Sequence, residues 1–448
     1  MSVSALLHPF SSVKEVETVP PHVIERANGV RVWDNAGGEF IDTAAALWCV
    51  NVGYGRKAIT SAMTQEAERL GFFHSFNGTG NAPALAFAEQ IVSVAPKNIR
   101  RVFFGNSGSD ANDSAVKIIW LYNNLLGRPN KKKIIARTRG YHGVTVAAGS
   151  LTGLPGVHKF FDLPLDGFHH VSPPDLYRQP ERDAQSYADE LEALIEQEGA
   201  DQFAAFFAEP VMGTGGVLPP PPGYFAAIKQ VLDRHDILLV LDEVISGFGR
   251  LGAWFGAQHF DVEPDLIVSA KGLTSNYMPM SAVMIGERVS DVISRCREDL
   301  GIFGHGFTTT AHPVAAAAGI ANLNIIHEEG LVAKAGEAGK ALLAEMTATC
   351  AKHALVGDVR GEGLMIGVEL VTNRAGKTSF EPALGVGARM REIAKGEGIL
   401  VRALINDIMA LSPPFIIGQD DIKLIAVRFA RALDTLANQL ESEGIWAP

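Results

Sequence analysis

Cysteine is scarce in this chain. Its 448 residues include only Cys49, Cys296 and Cys350, far apart and odd in number. No CxxC pair exists, which excludes a ribbon-type zinc site and a disulfide framework. No apolar run reaches the roughly 18 residues that a membrane-spanning helix needs. Residues 1–10 lack the basic stretch and apolar core of a secretory leader. Positive charge is also in deficit, with 39 Lys and Arg against 50 Asp and Glu and a formal net charge of −11. That balance argues against nucleic acid or an anionic membrane as partner. Together these absences predict a soluble protein in a reducing, cytoplasmic setting. No internal repeat or low-complexity segment interrupts the chain. Its length predicts two domains, one of them large.

What is present is a series of short apolar runs, each ending in a residue that can do chemistry. Residues 237–244 read Ile-Leu-Leu-Val-Leu-Asp-Glu-Val. A nearly continuous apolar run of this length reads as a strand buried on both faces of a parallel sheet. Ligands of open α/β sheets sit beyond the carboxyl ends of the strands, where this one delivers Asp242. Alternation points Glu243, the second carboxylate, away from the site. A second run, 265–270, ends in Lys271, with room for one crossover helix between the two strands.

Other strand ends carry further candidates. Residues 101–105 run into Asn106-Ser107-Gly108-Ser109-Asp110-Ala111-Asn112 and a helix to about Leu126. Ser109 or Asp110 is expected to cap it. The N–H groups of a helix start, with the Ser107 and Ser109 hydroxyls, suit a phosphate. The same residues also describe a plain strand–helix turn, because neither the dinucleotide glycine spacing nor a P-loop is present in it. Strand 133–137 leads to Arg139-Gly140-Tyr141-His142-Gly143, where Tyr141 and His142 either stack on a flat ligand or are simple loop residues. Strand 203–208 stops at Glu209 beside a glycine-rich loop. Residues 47–55, apolar and aromatic, form a buried connector or one wall of a pocket. His305 and His312 are too isolated to name a metal site, and none is expected.

Strand and helix alternate from about 100 to 285, as in a doubly wound, mainly parallel sheet. Residues 1–28 read as loop, 29–42 as a hairpin and 152–200 as peripheral. Residues 359–370 and 399–403 each read as one strand. The expected organisation is an N-terminal segment 1–55 packing with a small domain, a large domain 56–325, and a smaller α+β domain 326–448.

If Asp242, Lys271, Tyr141 and the Gly108-Ser109 turn converge at one sheet edge, they meet four needs at once. A lysine can bond an aldehyde, an acid can hold a proton on a ring nitrogen, a helix start can anchor a phosphate, and an aromatic face can cover a ring. Those needs belong to pyridoxal 5′-phosphate.

The motifs Gly-Asn-Ser-Gly-Ser-Asp-Ala-Asn (105–112), Tyr-His-Gly (141–143), Ala-Glu-Pro-Val (208–211), Leu-Asp-Glu-Val (241–244), Ala-Lys-Gly-Leu (270–273), Phe307-Thr308 and His312-Pro313 resemble those of class III aminotransferases of fold type I, over nearly the whole chain. The resemblance implies that 56–325 is the cofactor-binding domain. It implies that Lys271 bonds the cofactor aldehyde and shuttles the substrate proton, and that Asp242 holds the ring nitrogen protonated. Val244 and Tyr141 are implied to flank the ring, with His142 nearby. Ser107, Gly108 and Ser109 are implied to bind the phosphate, joined by Phe307 and Thr308 of a neighbouring subunit. A homodimer or tetramer with shared sites follows.

The same resemblance bears on substrate. In the ornithine and 4-aminobutyrate branches an arginine three residues before a Pro-Pro pair binds a carboxylate; here that place before Pro413-Pro414 is Ala410. Arg402 resembles instead the mobile arginine of the ω-transaminase branch, which binds the carboxylate of pyruvate or alanine. Trp48 resembles that branch's pocket wall, and Glu209 is given a supporting role. The implied reaction is ping-pong transfer from an amine or ω-amino acid to a keto acid, pyruvate, giving L-alanine. A decarboxylase or aminomutase of the same fold, and a non-catalytic binding protein, are the rival readings.

Overall fold

A computed structural model of the chain describes residues 5–447. Residues 1–4, part of the stretch read above for a leader, and residue 448 lie outside the described residues. The apolar runs form strands because they are short and rich in β-branched and aromatic side chains. Phe203–Ala208 and Leu238–Asp242 are buried at every position. A strand can be apolar on both faces only where both faces of its sheet are covered.

These two strands sit near the centre of a seven-stranded sheet. Its order is Ile99–Gly105, Ser281–Gly286, Leu266–Ser269, Leu238–Asp242, Phe203–Ala208, Lys133–Arg137, Phe168–Val171. The last five are parallel to one another. Ser281–Gly286 runs antiparallel to both strands beside it. Alternation then sorts the side chains. Leu239 and Leu241 join one apolar cluster, while Leu238 and Val240 join the cluster on which helix Gly108–Leu125 packs. By the same alternation Asp242 falls on the helix side and Glu243 on the opposite one.

Phe168–Val171 corrects the reading of 152–200 as peripheral: it is an edge strand of the central sheet. Four residues with two histidines carry no apolar signal, so only non-local pairing with Lys133–Arg137 reveals it. Residues 1–28 are likewise not all loop. Val13–Thr18 is a helix with no buried residue, and Ile24–Asn28 is a largely exposed strand. That strand pairs with Arg31–Asp34, one arm of the expected hairpin.

The other arm, Glu39–Asp42, pairs in parallel with Ile399–Leu400, which ties the beginning of the chain to its last third. Residues 359–370 hold two strands, Val356–Glu362 and Met365–Leu370, rather than one. They continue into a sheet with Ile408–Leu411 and Arg402–Ala403. The expected strand 399–403 is therefore split between two sheets. The crossover expected between Asp242 and Lys271 is a loop holding one four-residue helix, Gly256–His259. Among the described residues no helix is long and apolar enough to cross a membrane.

Candidate active site

Leu238–Asp242 and Leu266–Ser269 are adjacent and parallel, so their carboxyl ends open on one edge of the sheet. Asp242 is buried there. Its Oδ2 accepts from Asn112 Nδ2 at 2.9 Å and lies 2.8 Å from His142 Nδ1, while Oδ1 accepts from the Val244 N–H at 3.1 Å. A carboxylate only accepts, so Nδ1 is the protonated nitrogen of His142. Lys271 follows the neighbouring strand with a φ of +37°, in the region disfavoured for side chains. Burial pulls its amine pKa down; Cys49, Asp242 and Glu209 oppose that shift and Arg402 adds to it.

Helix Gly108–Leu125 begins beside Asp242. Its cap is Ser107, in a reciprocal box with Asp110, and not Ser109 or Asp110 as expected. The carboxylate of Asp110 turns back onto the N–H groups of Asn106 and Ser107, which identifies it as the third helical residue and not the first. The N–H groups of Gly108 and Ser109 have no partner among the described residues. Ser109 Oγ accepts from the Val144 N–H at 3.1 Å and retains its own proton for donation. A Cβ on Gly108 would stand 3.1 Å from Val244, so the helix start and Val244 approach this closely only around a glycine.

Glu209 joins two loops. Its carboxylate accepts from Tyr141 N–H at 3.2 Å and Gly213 N–H at 2.8 Å. Burial raises its pKa, against the pull of His142 and Arg137.

Ser107, Gly108, Tyr141, Asp242, Val244 and Lys271 converge on one cavity of about 340 Å³. A second cavity of about 1000 Å³ shares Leu47 and Tyr141 with the first and is lined by Arg402. Burial lowers the pKa of Arg402, and the guanidinium has no carboxylate partner among the described residues. Trp48 is only 2% exposed and sits in an apolar cluster with Val211, Ile245 and Ala410. Expected as a wall, it is the layer behind one: Leu47 and Cys49 line the cavity, while the Trp48 ring faces Lys271 Nζ at 5.7 Å and Arg402 Cζ at 5.4 Å.

Phe307 and Thr308 are not brought to this cavity within the chain. Phe307 packs against Phe103 and His305, and Thr308 is exposed. His305 is held by Ser114 and Lys117, and no group of metal-ligating side chains occurs among the described residues. Sequence reasoning passed over Asn112, whose signal is a polar residue on the buried face of an otherwise apolar helix. Of residues 47–55, read as a buried connector or a pocket wall, Leu47 and Cys49 line the cavity.

The family model for aminotransferase class-III matches residues 12–433. The chain belongs to the class III aminotransferases. It is 43% identical over 434 residues to a diaminobutyrate–2-oxoglutarate transaminase of Halomonas elongata, covering 95% of this chain and 92% of that one. It is 39% identical over 443 residues to gamma aminobutyrate transaminase 3 of Solanum lycopersicum, covering 97% and 85%. Its fold superposes with a TM-score of 0.94, at 41% identity and 97% coverage of both chains, on the omega transaminase of Pseudomonas jessenii in complex with PMP.

A class III aminotransferase uses pyridoxal phosphate to move an amino group between an amine and a keto acid, on the fold type I scaffold. The cavity suits that cofactor on its own geometry. It pairs a buried amine of depressed pKa with a buried carboxylate, and unpartnered helix-start N–H groups face it around a glycine. When bound, the cofactor supplies an aldehyde for the amine and an electron-withdrawing ring.

Proposed function

We propose that this aminotransferase takes its amino group from an amine or ω-amino acid and passes it to pyruvate, releasing L-alanine, in two half-reactions of a ping-pong cycle. The observation that carries this reading is Arg402, a half-buried guanidinium with no carboxylate partner among the described residues, on the cavity adjoining that of Lys271. Such a cation suits a substrate carboxylate presented in the plane of its two N–H donors. The names of the relatives raise 2-oxoglutarate and 4-aminobutyrate as alternatives. A dicarboxylate needs a second cation. Ala410 supplies none, being buried among apolar side chains, and Arg391, on the same cavity, already donates to Glu392.

In this reading the Lys271 amine, unprotonated well below its ordinary range, moves the proton on and off the amine-bearing carbon. Asp242 holds a proton on the ring nitrogen, oriented by Asn112 and His142. Val244 and Tyr141 flank the ring. Ser107, Gly108 and Ser109 hold the phosphate. Residues 56–325 form the cofactor-binding domain, with 1–55 packing on the small domain 326–448. Phe307 and Thr308 complete the phosphate site of a second copy in a homodimer. That assignment is supported by the exposure of Thr308 and by the exposed Phe72, Phe73 and Phe76.

The test is a donor screen run once with pyruvate and once with 2-oxoglutarate, following the amino acid formed. Alanine formation with little glutamate supports the reading. Glutamate formed as fast or faster overturns it.

A further inference from the structure

The turn between the Glu39–Asp42 strand and Val50 is a strained stretch bordering the site. Ala45, Ala46 and Trp48 have φ of +44°, +57° and +62°, and Ala46 combines this with a ψ of −92°. L-residues avoid this region, because Cβ crowds the neighbouring carbonyl. Such a backbone persists only where its surroundings over-determine it. Here backbone bonds from the Trp48, Cys49 and Val50 N–H groups to the Ala44 and Ala45 carbonyls close the turn, and one carboxylate clamps its entry. Asp42 Oδ1 accepts from the Ala44 N–H at 3.0 Å; Oδ2 accepts from the Ala46 N–H at 2.7 Å and from the Tyr54 hydroxyl at 2.6 Å. Asp42 is 2% exposed and has no ion-pair partner among the described residues, so these bonds are its compensation for burial.

The clamped turn faces the site on two sides. Leu47 lines both cavities, and Ala44 and Ala46 line the larger one. Trp48 turns its ring to Lys271 and Arg402 together. The Trp48 ring also fills the space where a Cβ on Gly213 would stand, 2.1 Å from Cζ3, so it cannot approach the Gly213 loop further. On its other side, Asp42 pairs in register with Leu400, two residues before Arg402, and the Thr43 N–H and hydroxyl both donate to the Leu400 carbonyl. One strand end thus ties the turn carrying Trp48 to the segment carrying Arg402.

We propose that Asp42 is a positioning residue for substrate choice: its carboxylate holds the strained 44–48 turn, and through Leu47 and Trp48 it sets the partition between the cavity of Lys271 and the cavity of Arg402. Removing an acceptor from Asp42 lets the turn relax toward ordinary backbone angles. Trp48 and Leu47 then move, and the keto-acid carboxylate loses its fixed distance from the reacting centre. Tyr54 contributes by the same route, as one of three donors.

The consequence for substrates rests on the assignment of Arg402 to the keto-acid carboxylate, but one readout does not. Cys49 ends the same turn, is buried, and donates its S–H to the Leu47 carbonyl. In the holoenzyme, Asp42→Asn is expected to speed modification of Cys49 by a maleimide, read by peptide mass mapping, about tenfold, the factor that ~1.4 kcal/mol of lost restraint produces. Cys350, buried in the same protein, serves as the internal standard. Tyr54→Phe keeps both N–H bonds and is expected to shift the rate in the same direction by less. It also serves if Asp42→Asn does not fold.

In turnover, KM for pyruvate is expected to rise about tenfold in Asp42→Asn with a smaller change in kcat. That rise should vanish when the comparison is made in a Trp48→Ala background. An unchanged Cys49 rate in both variants overturns the proposal. So does an equal rise in KM with and without Trp48. Faster Cys49 labelling in an enzyme that ignores pyruvate would leave the clamp standing and sink the pyruvate reading instead.

Discussion

His142 Nδ1 stands 2.8 Å from Asp242 Oδ2 with both side chains buried, and Asn112 reaches the same oxygen. Two donors on one oxygen leave the other bonded only to the Val244 N–H, on a side chain that lines the cavity. Replacing His142 by Phe removes one donor from a buried carboxylate, a loss of about 1.5–3 kcal/mol. Cofactor affinity is expected to fall at least about tenfold, measured by fluorescence titration of apoprotein. Unaltered affinity would show that His142 has no part in holding Asp242.

Lys271 is the amine on the cavity next to Asp242. Lys271→Ala is expected to lower turnover about 10²–10⁴-fold, the usual worth of a positioned proton-transfer group. Borohydride should fix the cofactor covalently to the wild-type chain at Lys271 and leave the variant unlabelled. The wild-type labelling should persist below the ordinary lysine range, because burial lowers the amine's pKa.

Arg402→Ala separates the two kinds of substrate. For pyruvate and L-alanine, kcat/KM is expected to fall about 100-fold, since a charge-assisted pair contributes ~2–3 kcal/mol. A carboxylate-free amine donor should be little affected in its own half-reaction. Equal losses for both would remove Arg402 from carboxylate binding.

Glu243 gives a pH signature in stability. Burial pushes its pKa up to about 7, against the N–H groups of Ala257 and Gly256 and the Ser246 hydroxyl. A raised acid pKa means that the folded state holds a proton the unfolded state has lost. Its contribution is therefore complete below the unfolded value near 4.5 and declines as pH rises to about 7. The melting temperature of wild type relative to Glu243→Gln should fall as pH rises from about 4.5 to about 7 and then level off. A difference that grows with pH would contradict this.

Gly213 leaves no room for a side chain. A Cβ there would meet Trp48 at 2.1 Å and Ile245 at 2.5 Å. Gly213→Ala is expected to destabilise by about 1–3 kcal/mol through overpacking, seen in denaturant melts. Trp48→Ala in the same chain should relieve most of it.

Much of this was readable from residue order. The central strands announce themselves, because strands covered on both faces must be apolar throughout, and Asp242, Lys271 and Glu209 follow directly where such runs stop. The helix Gly108–Leu125 is equally legible, but its cap, expected at Ser109 or Asp110, is Ser107: Ser107 and Ser109 are chemically identical, and only the reciprocal bond from Asp110 distinguishes them. Phe168–Val171 and Ile24–Asn28 escaped notice because edge or exposed strands need no apolar pattern.

The chain's order of apolar runs and motifs determined the family and the cofactor and put Asp242 and Lys271 at the ends of neighbouring strands, since these depend on residue types held at strand ends by local rules. Tertiary structure alone decided the rest. Asn112 from a helix and His142 from a loop meet Asp242 at a strand end, Trp48 lies behind the cavity rather than on it, and Asp42 lies beside Leu400 although the two are 358 positions apart in the chain. Each depends on which distant segments pack together, and burial makes those choices through the sum of many weak contacts that no local pattern records.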